Sequence, residues 1–274
     1  MIAIATCLDI PEPDVDESIL LGALDRAGID AQMEAWDDQT VDWRRYEACV
    51  IRSTWDYPER PEEFKAWLHN VSQQTKLYND AQTATWNIDK SYLADLQAKG
   101  VEIVPSVWYK QGSAAPSELP WPNVVVKPTI SAGSWHTERF MSGQEAAALS
   151  FLEGHLKDRS MMVQPYLKSV EKGGEVAWVW IDGEVTHGVK KAPRFQDGEE
   201  SVSEAVEPNN EVVALANQIM AAAPDGLLYA RIDLMEHEGK WLLSELELLE
   251  PSLFFKQSPK ALDRFMAAIK KRIS

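Results

Sequence analysis

The chain has 274 residues and carries 43 Asp and Glu against 27 Lys and Arg, a formal charge of −16. That excess of acid argues against a nucleic-acid partner and against an anionic membrane surface, since both need basic patches. The length admits two domains or three small ones, and 45% hydrophobic with 26% charged residues is ordinary for a globular protein.

The N-terminal stretch "MIAIATCLDI" reads as a buried first strand. It has no basic leader, so a signal peptide is not expected, and no run of about 18 apolar residues points to a membrane span. Cys7 and Cys49 lie in apolar runs without metal-ligand spacing, which suits free thiols of a reducing, cytoplasmic setting. A helix is expected from Glu17 to Ala27 with Gly28 as its stop, then strands at "AQMEAW" and "ACVIRS", then a helix opening at Pro61. Strands alternating with helices imply a small parallel sheet over roughly the first 80 residues, and ligands bind such sheets beyond the strands' carboxyl ends. There the chain reads "RSTWDY", making Arg52, Ser53 and Thr54 candidates for substrate contact, with a capped turn as the alternative.

"TWNIDKSYLADLQAKG" predicts a helix starting at Asn87 or Asp89 and stopping at Gly100, and "VEIVPSVWY" a strand. After the Pro-rich loop "GSAAPSELPWP" the pattern changes. "NVVVKP", "MMVQPYL", "EVAWVWIDG", "EVTHGVKK", "LLYARIDLM" and "WLLSELELL" read as strands in hairpin-like succession, with helices at "GQEAAALSFLEGHL" and "NEVVALANQIMAA". This is an α+β region with antiparallel pairs. A last amphipathic helix begins at Ser258-Pro259, with basic residues near its C-terminal end where the dipole favours them.

Alternation puts Arg231 and Asp233 on the face of "LLYARIDLM" opposite Leu228, Ala230, Ile232 and Leu234. In the next strand it sets Glu245 and Glu247 opposite Leu242, Ser244, Leu246 and Leu248. For both apolar faces to meet one core the hairpin loop needs an odd residue count, such as Glu238-Gly239-Lys240, which pairs Asp233 with Glu245. Three carboxylates then share a patch beside Arg231. They suit Mg²⁺, which takes oxygen ligands and shares them with phosphates; a solvated sheet face is the alternative. Lys127 closes a short apolar strand and Lys90 stands near a helix start, both suited to phosphates. Ser131, Ala132, Gly133 and Ser134 could wrap phosphate oxygens with backbone amides, or simply turn a hairpin. Gln164 ends a strand before Pro165, which suits an adenine-binding edge, and Glu171 or Glu175 could accept from ribose hydroxyls. Trp55, Trp135, Trp178 and Trp180 are expected in the core, with pocket lining as the alternative.

In this order, "WNIDK", "VVVKP", a small-residue loop, "VQPYL", "ARIDL" and "ELELLEPS" resemble the ATP-grasp superfamily of carboxylate–amine ligases over almost the whole chain. "RSTWDY", "SAG" after "VVVKP" and the "ELELLEPS" ending are similar to words of the cyclo-ligases that close D-cycloserine from O-ureido-D-serine. "ARIDL" and "ELELLEPS" also resemble, more distantly, motifs of glutathione synthetase. The resemblance implies an ATP-grasp fold: a small parallel α/β domain over 1–85, then two α+β lobes over 86–167 and 168–274 clasping ATP. It implies that Lys90, Lys127 and Lys191 hold phosphates, with Ser131 to Ser134 as a mobile loop over the terminal one. Gln164, Tyr166 and Leu167 would line the adenine slot, with Glu171 or Glu175 on ribose. Asp233, Glu245 and Glu247 would hold two Mg²⁺. Lys127, Lys191 and Arg231 would neutralise charge in catalysis, and Arg52, Ser53, Thr54, Arg194, Glu250 and Ser252 would face a small amino-acid-like substrate. The implied chemistry is an acylphosphate followed by C–N bond formation; a small-molecule kinase or a non-catalytic nucleotide-binding module are the alternatives. The reading leaves room for a homodimer. Two stretches depart from the cyclo-ligase pattern, "SWHT" and the acidic "RFQDGEESVSEAVEP", and both fall where an acceptor would sit.

Overall fold

A computed structural model describes residues 1–191 and 202–273. Its first sheet is parallel, in the order β2 (Ala31–Ala35), β1 (Ile2–Thr6), β3 (Ala48–Ser53), β4 (Lys76–Tyr78). β1 and β3 are apolar on both faces because helices cover both. Ile2, Ile4 and Val50 pack on α1 (Glu17–Arg26) and on α7 (Pro259–Ile273) from the far end of the chain. Ala3, Ala5 and Ile51 pack on Phe64 and Leu68 of α2 (Pro61–Ser72). The sequence pattern does not reveal β4, whose three residues are too few for alternation to register.

The helix expected from Asn87 or Asp89 is two helices, α3 (Ala81–Asn87) and α4 (Tyr92–Ala98). Asp80 caps α3 by accepting from the Thr83 amide at 2.8 Å, so Asn87 ends a helix instead of starting one. The break places Lys90 between the helices, where its own amide donates to the Thr129 carbonyl. "VEIVPSVWY" is likewise divided: Ile103 bridges Leu243, and only β5 (Val107–Tyr109) continues as a strand beyond Pro105.

β5 is one edge of an antiparallel sheet in the order β5, β8 (Met161–Pro165), β6 (Val124–Pro128), β7 (Glu138–Phe140), backed by α5 (Glu145–Leu156). The remaining sheet runs β10 (Glu184–Lys190), β9 (Glu175–Ile181), β11 (Tyr229–His237), β12 (Lys240–Glu247), all antiparallel. α6 (Asn210–Ala222) covers one face of it, with Val212, Ala216 and Ile219 against Ala230, Ile232 and Leu234. Gly188 in β10 lies under the Trp178 ring, where a Cβ would come within 2.6 Å of it. Trp178 is thus core, and Trp180 packs partly buried on the same cluster.

The β11–β12 hairpin pairs Asp233 with Glu245 and Arg231 with Glu247, by a route that alternation does not see. The turn has two residues, Glu238 and Gly239, both at positive φ, as a tight hairpin with the right twist requires. His237 pairs with Lys240, and a bulge at Ser244 then shifts the register by one. Above the bulge Leu243, not Leu242, joins the α6 core; Leu242 turns to Val104, Leu167 and Met235 on the other face.

β12 is an edge strand, and its outer backbone groups are met largely by side chains. Asn87 donates to the Leu246 carbonyl and accepts from the Leu248 amide, both at 2.8 Å, while the Tyr92 hydroxyl accepts from the Leu246 amide. Asn79 donates to the Leu248 and Tyr229 carbonyls and accepts from the Leu228 amide. These contacts fix the acidic strand to the N-terminal sheet and to the segment carrying Lys90. No helix among the described residues is long and apolar enough to cross a membrane.

Candidate active site

A cavity of 550 Å³ opens between the two antiparallel sheets and reaches the N-terminal one. Its volume falls in the range of small-molecule sites. One end is apolar, walled by Val104, Val125, Leu167, Val170, Met235 and Leu246, with Gln164 and Tyr166 at its margin. The bulge is what turns β12 so that Leu242 supports this end and Ser244 lines it. The opposite end is formed by Pro11, Trp55, Tyr57, Glu250 and Ser252, and between the two lies a band of buried charge.

In that band Lys127 Nζ lies 2.5 Å from Glu245, with Lys90 Nζ 3.7 Å from the same carboxylate. Lys90 also donates to the Ser131 carbonyl at 2.6 Å, tying it to the small-residue loop. Lys191 sits 3.1 Å from Asp233 and 3.3 Å from Glu175. Arg231 grips Asp233 with two nitrogens at 2.8 and 2.9 Å and also pairs with Glu247. Burial alone would raise every one of these carboxyls. For Glu245 the charges of Lys127 and Lys90 outweigh burial and hold it well below the usual carboxylate range. For Asp233, Arg231 and Lys191 do the same. Glu247 is different: burial, reinforced by Asp233, wins over Arg231 and pushes it up. Burial would lower Lys191, but Asp233 and Glu175 keep it charged.

The loop Ser131–Ser134 lines the cavity, as do Trp135 and Thr137, and Gly133 and Ser134 both have positive φ. Gln164 is held by a 2.9 Å bond to Ser106. Tyr166 donates to Glu171 at 2.8 Å, but it is Glu175, beside Lys191, that lines the cavity. The expected metal ligands need a correction of emphasis. Asp233, Glu245 and Glu247 share one sheet face, yet each meets a lysine or arginine, and no three acids converge as a metal cage among the described residues. Their all-oxygen donor set still fits Mg²⁺, which uses one or two carboxylates together with phosphates and does not need a protein cage.

Three substrate candidates are misplaced by the sequence reading. Arg52, Ser53 and Thr54 are at most 1% exposed and do not line the cavity. Arg52 pairs with buried Asp16 at 3.3 Å and lies over the Tyr229 ring, because β3 runs through the middle of its sheet with helices on both sides. The strand's carboxyl end reaches the cavity two residues later, through Trp55 and Tyr57. Glu250 and Ser252 do line it, and Arg194 lies outside the described residues. Sequence reasoning passed over Tyr92, Val125, Val170, Met235 and Ser244 as lining residues. For Val125, Met235 and Ser244 the only signal is the alternation of strands whose partners were not yet known; Tyr92 in α4 and Val170 in the turn after β8 carry none.

Comparison with known proteins accords with this arrangement. The family described as D-cycloserine synthetase DcsG, N-terminal domain, matches residues 2–79. Cycloserine biosynthesis protein DcsG of Streptomyces lavendulae is 33% identical over 282 residues, covering 95% of this chain and 94% of that protein. The crystal structure of D-cycloserine synthetase DcsG superposes with a TM-score of 0.89 at 32% identity, over 100% of this chain and 99% of that one. D-alanine–D-alanine ligase from Bacillus anthracis has a TM-score of 0.72 over 99% of this chain and 96% of that one, at 16% identity, which speaks to fold alone. With the DcsG relative 33% identical and matched along nearly its whole length, the chain belongs to the DcsG family of ATP-grasp ligases.

Proposed function

We propose that the protein activates the carboxylate of an amino-acid derivative with ATP and closes an amide bond within the same molecule. The substrate carboxylate attacks the γ-phosphorus, the bond to the β-phosphate oxygen breaks, and ADP leaves with an acylphosphate formed. A nitrogen of the substrate then attacks the acyl carbon, inorganic phosphate departs, and the nitrogen loses a proton. The observation that carries this reading is the band of four cations, buried Lys90, Lys127 and Arg231 and half-buried Lys191, between an apolar slot and an outer compartment. Such a band places charge stabilisation where phosphoryl transfer needs it, with no protein nucleophile required.

In this reading the base occupies the apolar slot by Leu167 and Val170, with Gln164 and Tyr166 at its edge and Glu175 on ribose. Lys90, Lys127 and Lys191 hold the phosphates, Ser131 to Ser134 cover the terminal one and exclude water from the acylphosphate, and Arg231 faces the reacting carboxylate. Asp233, Glu245 and Glu247 are the donors that would hold one or two Mg²⁺, which neutralise phosphate charge when bound. The nucleotide lies between the lobes 86–167 and 168–274, with 1–85 closing the substrate end. Two buried free thiols, Cys7 and Cys49, suit a cytoplasmic setting. The DcsG relative is named for cycloserine biosynthesis, which supports ring closure of a serine derivative as the reaction. The test is ADP release with Mg²⁺ and a panel of serine derivatives including O-ureido-D-serine, with mass spectrometry of the product. Loss of one water from the substrate, accompanied for O-ureido-D-serine by loss of its carbamoyl group where the product is cycloserine itself, supports ring closure; ADP release with a phosphorylated, uncyclised product overturns it in favour of a kinase.

A further inference from the structure

Among the described residues the cavity holds one buried carboxyl that the charge band does not pair; Glu12 and Glu59, which also line it, are half-buried and exposed. Glu175, Asp233, Glu245 and Glu247 each lie within ion-pair distance of a lysine or arginine. Glu250 is 8% exposed and lines the cavity, yet no basic side chain among the described residues comes within that distance. Burying a carboxylate without a cation is costly. The cost is maintained by a rigid frame. The Trp55 indole donates to the Glu250 carbonyl oxygen at 2.8 Å, and the Tyr229 hydroxyl donates to the Leu249 carbonyl at 2.7 Å. The Asp16 carboxylate accepts from the amides of Leu253, Phe254 and Phe255 at 2.6 to 3.1 Å. The segment has no regular structure of its own; these bonds fix the backbone that carries Glu250, and the Tyr57 hydroxyl bonds its side chain.

We propose that Glu250 is the anchor for a cationic group of the substrate: its carboxylate pairs with a protonated amine that enters the compartment between Trp55, Tyr57 and Ser252. The claim rests on the ligase reading only in taking the occupant to be the substrate and not an effector. Three features of the compartment fit an ammonium. It is walled by the Trp55 indole and by Tyr57, whose hydroxyl bonds the Glu250 side chain and whose oxygen is a further acceptor for an ammonium. Among the described residues the four basic side chains that line the cavity belong to the charge band, so none of these fills the place. Burial, then the charge on Glu247, push Glu250 up to about 8, the state of an acid still lacking its counter-ion. The frame keeps the carboxylate aimed before the ligand arrives, so binding need not order it. Discrimination follows, because a 2-hydroxy acid of the same shape leaves the carboxylate without its cation.

The test compares alanine and serine, as both enantiomers, with lactate and glycerate. Binding is read by Trp fluorescence or calorimetry in the presence of Mg²⁺ and a non-hydrolysable ATP analogue. For the wild type at least one amino acid should bind about tenfold or more tightly than its hydroxy-acid counterpart, the scale of a charge-assisted hydrogen bond. Glu250→Gln should bring the two within about twofold while affinity for the ATP analogue is unchanged, and Glu250→Asp should retain part of the preference. Equal binding of amino and hydroxy acids by the wild type overturns the proposal, whatever the variant does. So does a preference that survives in a folded Glu250→Gln, or failure of every amino acid to bind while the nucleotide does. Failure of the ATP analogue to bind, with the amine preference intact, overturns the ligase reading and leaves the ammonium site standing.

Discussion

Replacing Lys127 with Met separates what the charge band does for stability from what it does for chemistry. Lys127 lies 2.5 Å from Glu245 and Lys90 lies 3.7 Å from it. At an effective dielectric of about 20 these separations correspond to attractions of about 7 and about 4.5 kcal/mol before desolvation is charged against them. The substitution therefore removes more than half of the field that keeps Glu245 ionised, but not all of it. Stranding a buried charge outright costs about 3–5 kcal/mol. With Lys90 still present and the Glu245 side chain 21% exposed, the expected loss is about 2–3 kcal/mol in urea unfolding. Adding Glu245→Gln should return only part of it, since the stranded carboxylate is gone but Lys90 is then left with the Ser131 carbonyl and no carboxylate. ADP release is expected to fall by about a hundredfold or more in the single variant, the scale of losing one charge-stabilising group. A Lys127→Met protein that stays folded at the assay temperature and keeps more than a tenth of its turnover refutes the catalytic assignment. A double variant no more stable than the single one refutes the electrostatic account of its fold.

Asn87→Ala leaves the Leu246 carbonyl and the Leu248 amide of the β12 edge without partners, and should cost about 2–4 kcal/mol by urea unfolding; a loss under 1 kcal/mol would mean that water replaces the amide freely. Gly188→Ala drives a Cβ to 2.6 Å from the Trp178 ring, so about 1–3 kcal/mol should be lost, and relief by Trp178→Leu in the same chain checks the cause. His187 is buried, and burial, only partly offset by the Phe254 backbone, holds its imidazole down at about 4. Its folded value lies below its unfolded one, so the stabilisation is complete above about pH 6.5 and drains away as pH falls towards 4, about 3 kcal/mol in all. Urea midpoints followed from pH 7 to pH 4 should show a shallower decline in His187→Gln; an unchanged slope assigns the acid sensitivity elsewhere.

The helices and most strands were legible because their apolar periods are long and unambiguous. The Asp233–Glu245 pairing was legible too, though the reasoning assumed a three-residue loop. In the molecule a two-residue turn and a bulge at Ser244 add up to the same offset. Alternation counts residues and cannot tell where the extra one is inserted, so Leu242 was assigned to the wrong face. Arg52 failed for another reason. A polar residue at a strand's carboxyl end is a fair sign of a site, but whether it is covered depends on Asp16 and on the backbone of residues 253 to 255, far away in the chain. Local pattern holds no information on that closure. That Glu250 has no cation within ion-pair distance among the described residues was invisible for the same reason, because lacking a counter-ion is a property of the whole packed cavity.

The charge band also answers how so acidic a protein can accept a polyphosphate. Among the described residues seven acidic and four basic side chains line the cavity, so acids outnumber bases there before any ligand enters. A triphosphate approaching bare carboxylates would be repelled, yet the acids deepest in the band are already covered by Lys127, Lys191 and Arg231. Lysine stems are flexible and their ammonium groups are point charges, so they can turn from carboxylate to phosphate with little change in burial. The carboxylates they leave are oxygen donors of the kind that a phosphate-bound divalent ion prefers. Charges therefore change partners without any of them being left alone, and the desolvation already incurred in folding is not incurred again on binding. Arg231 cannot take part in this exchange as easily: its two bonds to Asp233 and a third to Glu247 hold the guanidinium in one plane. A fixed guanidinium beside mobile ammonium groups is the arrangement expected where phosphates must be gathered but a planar substrate carboxylate must be met in one orientation.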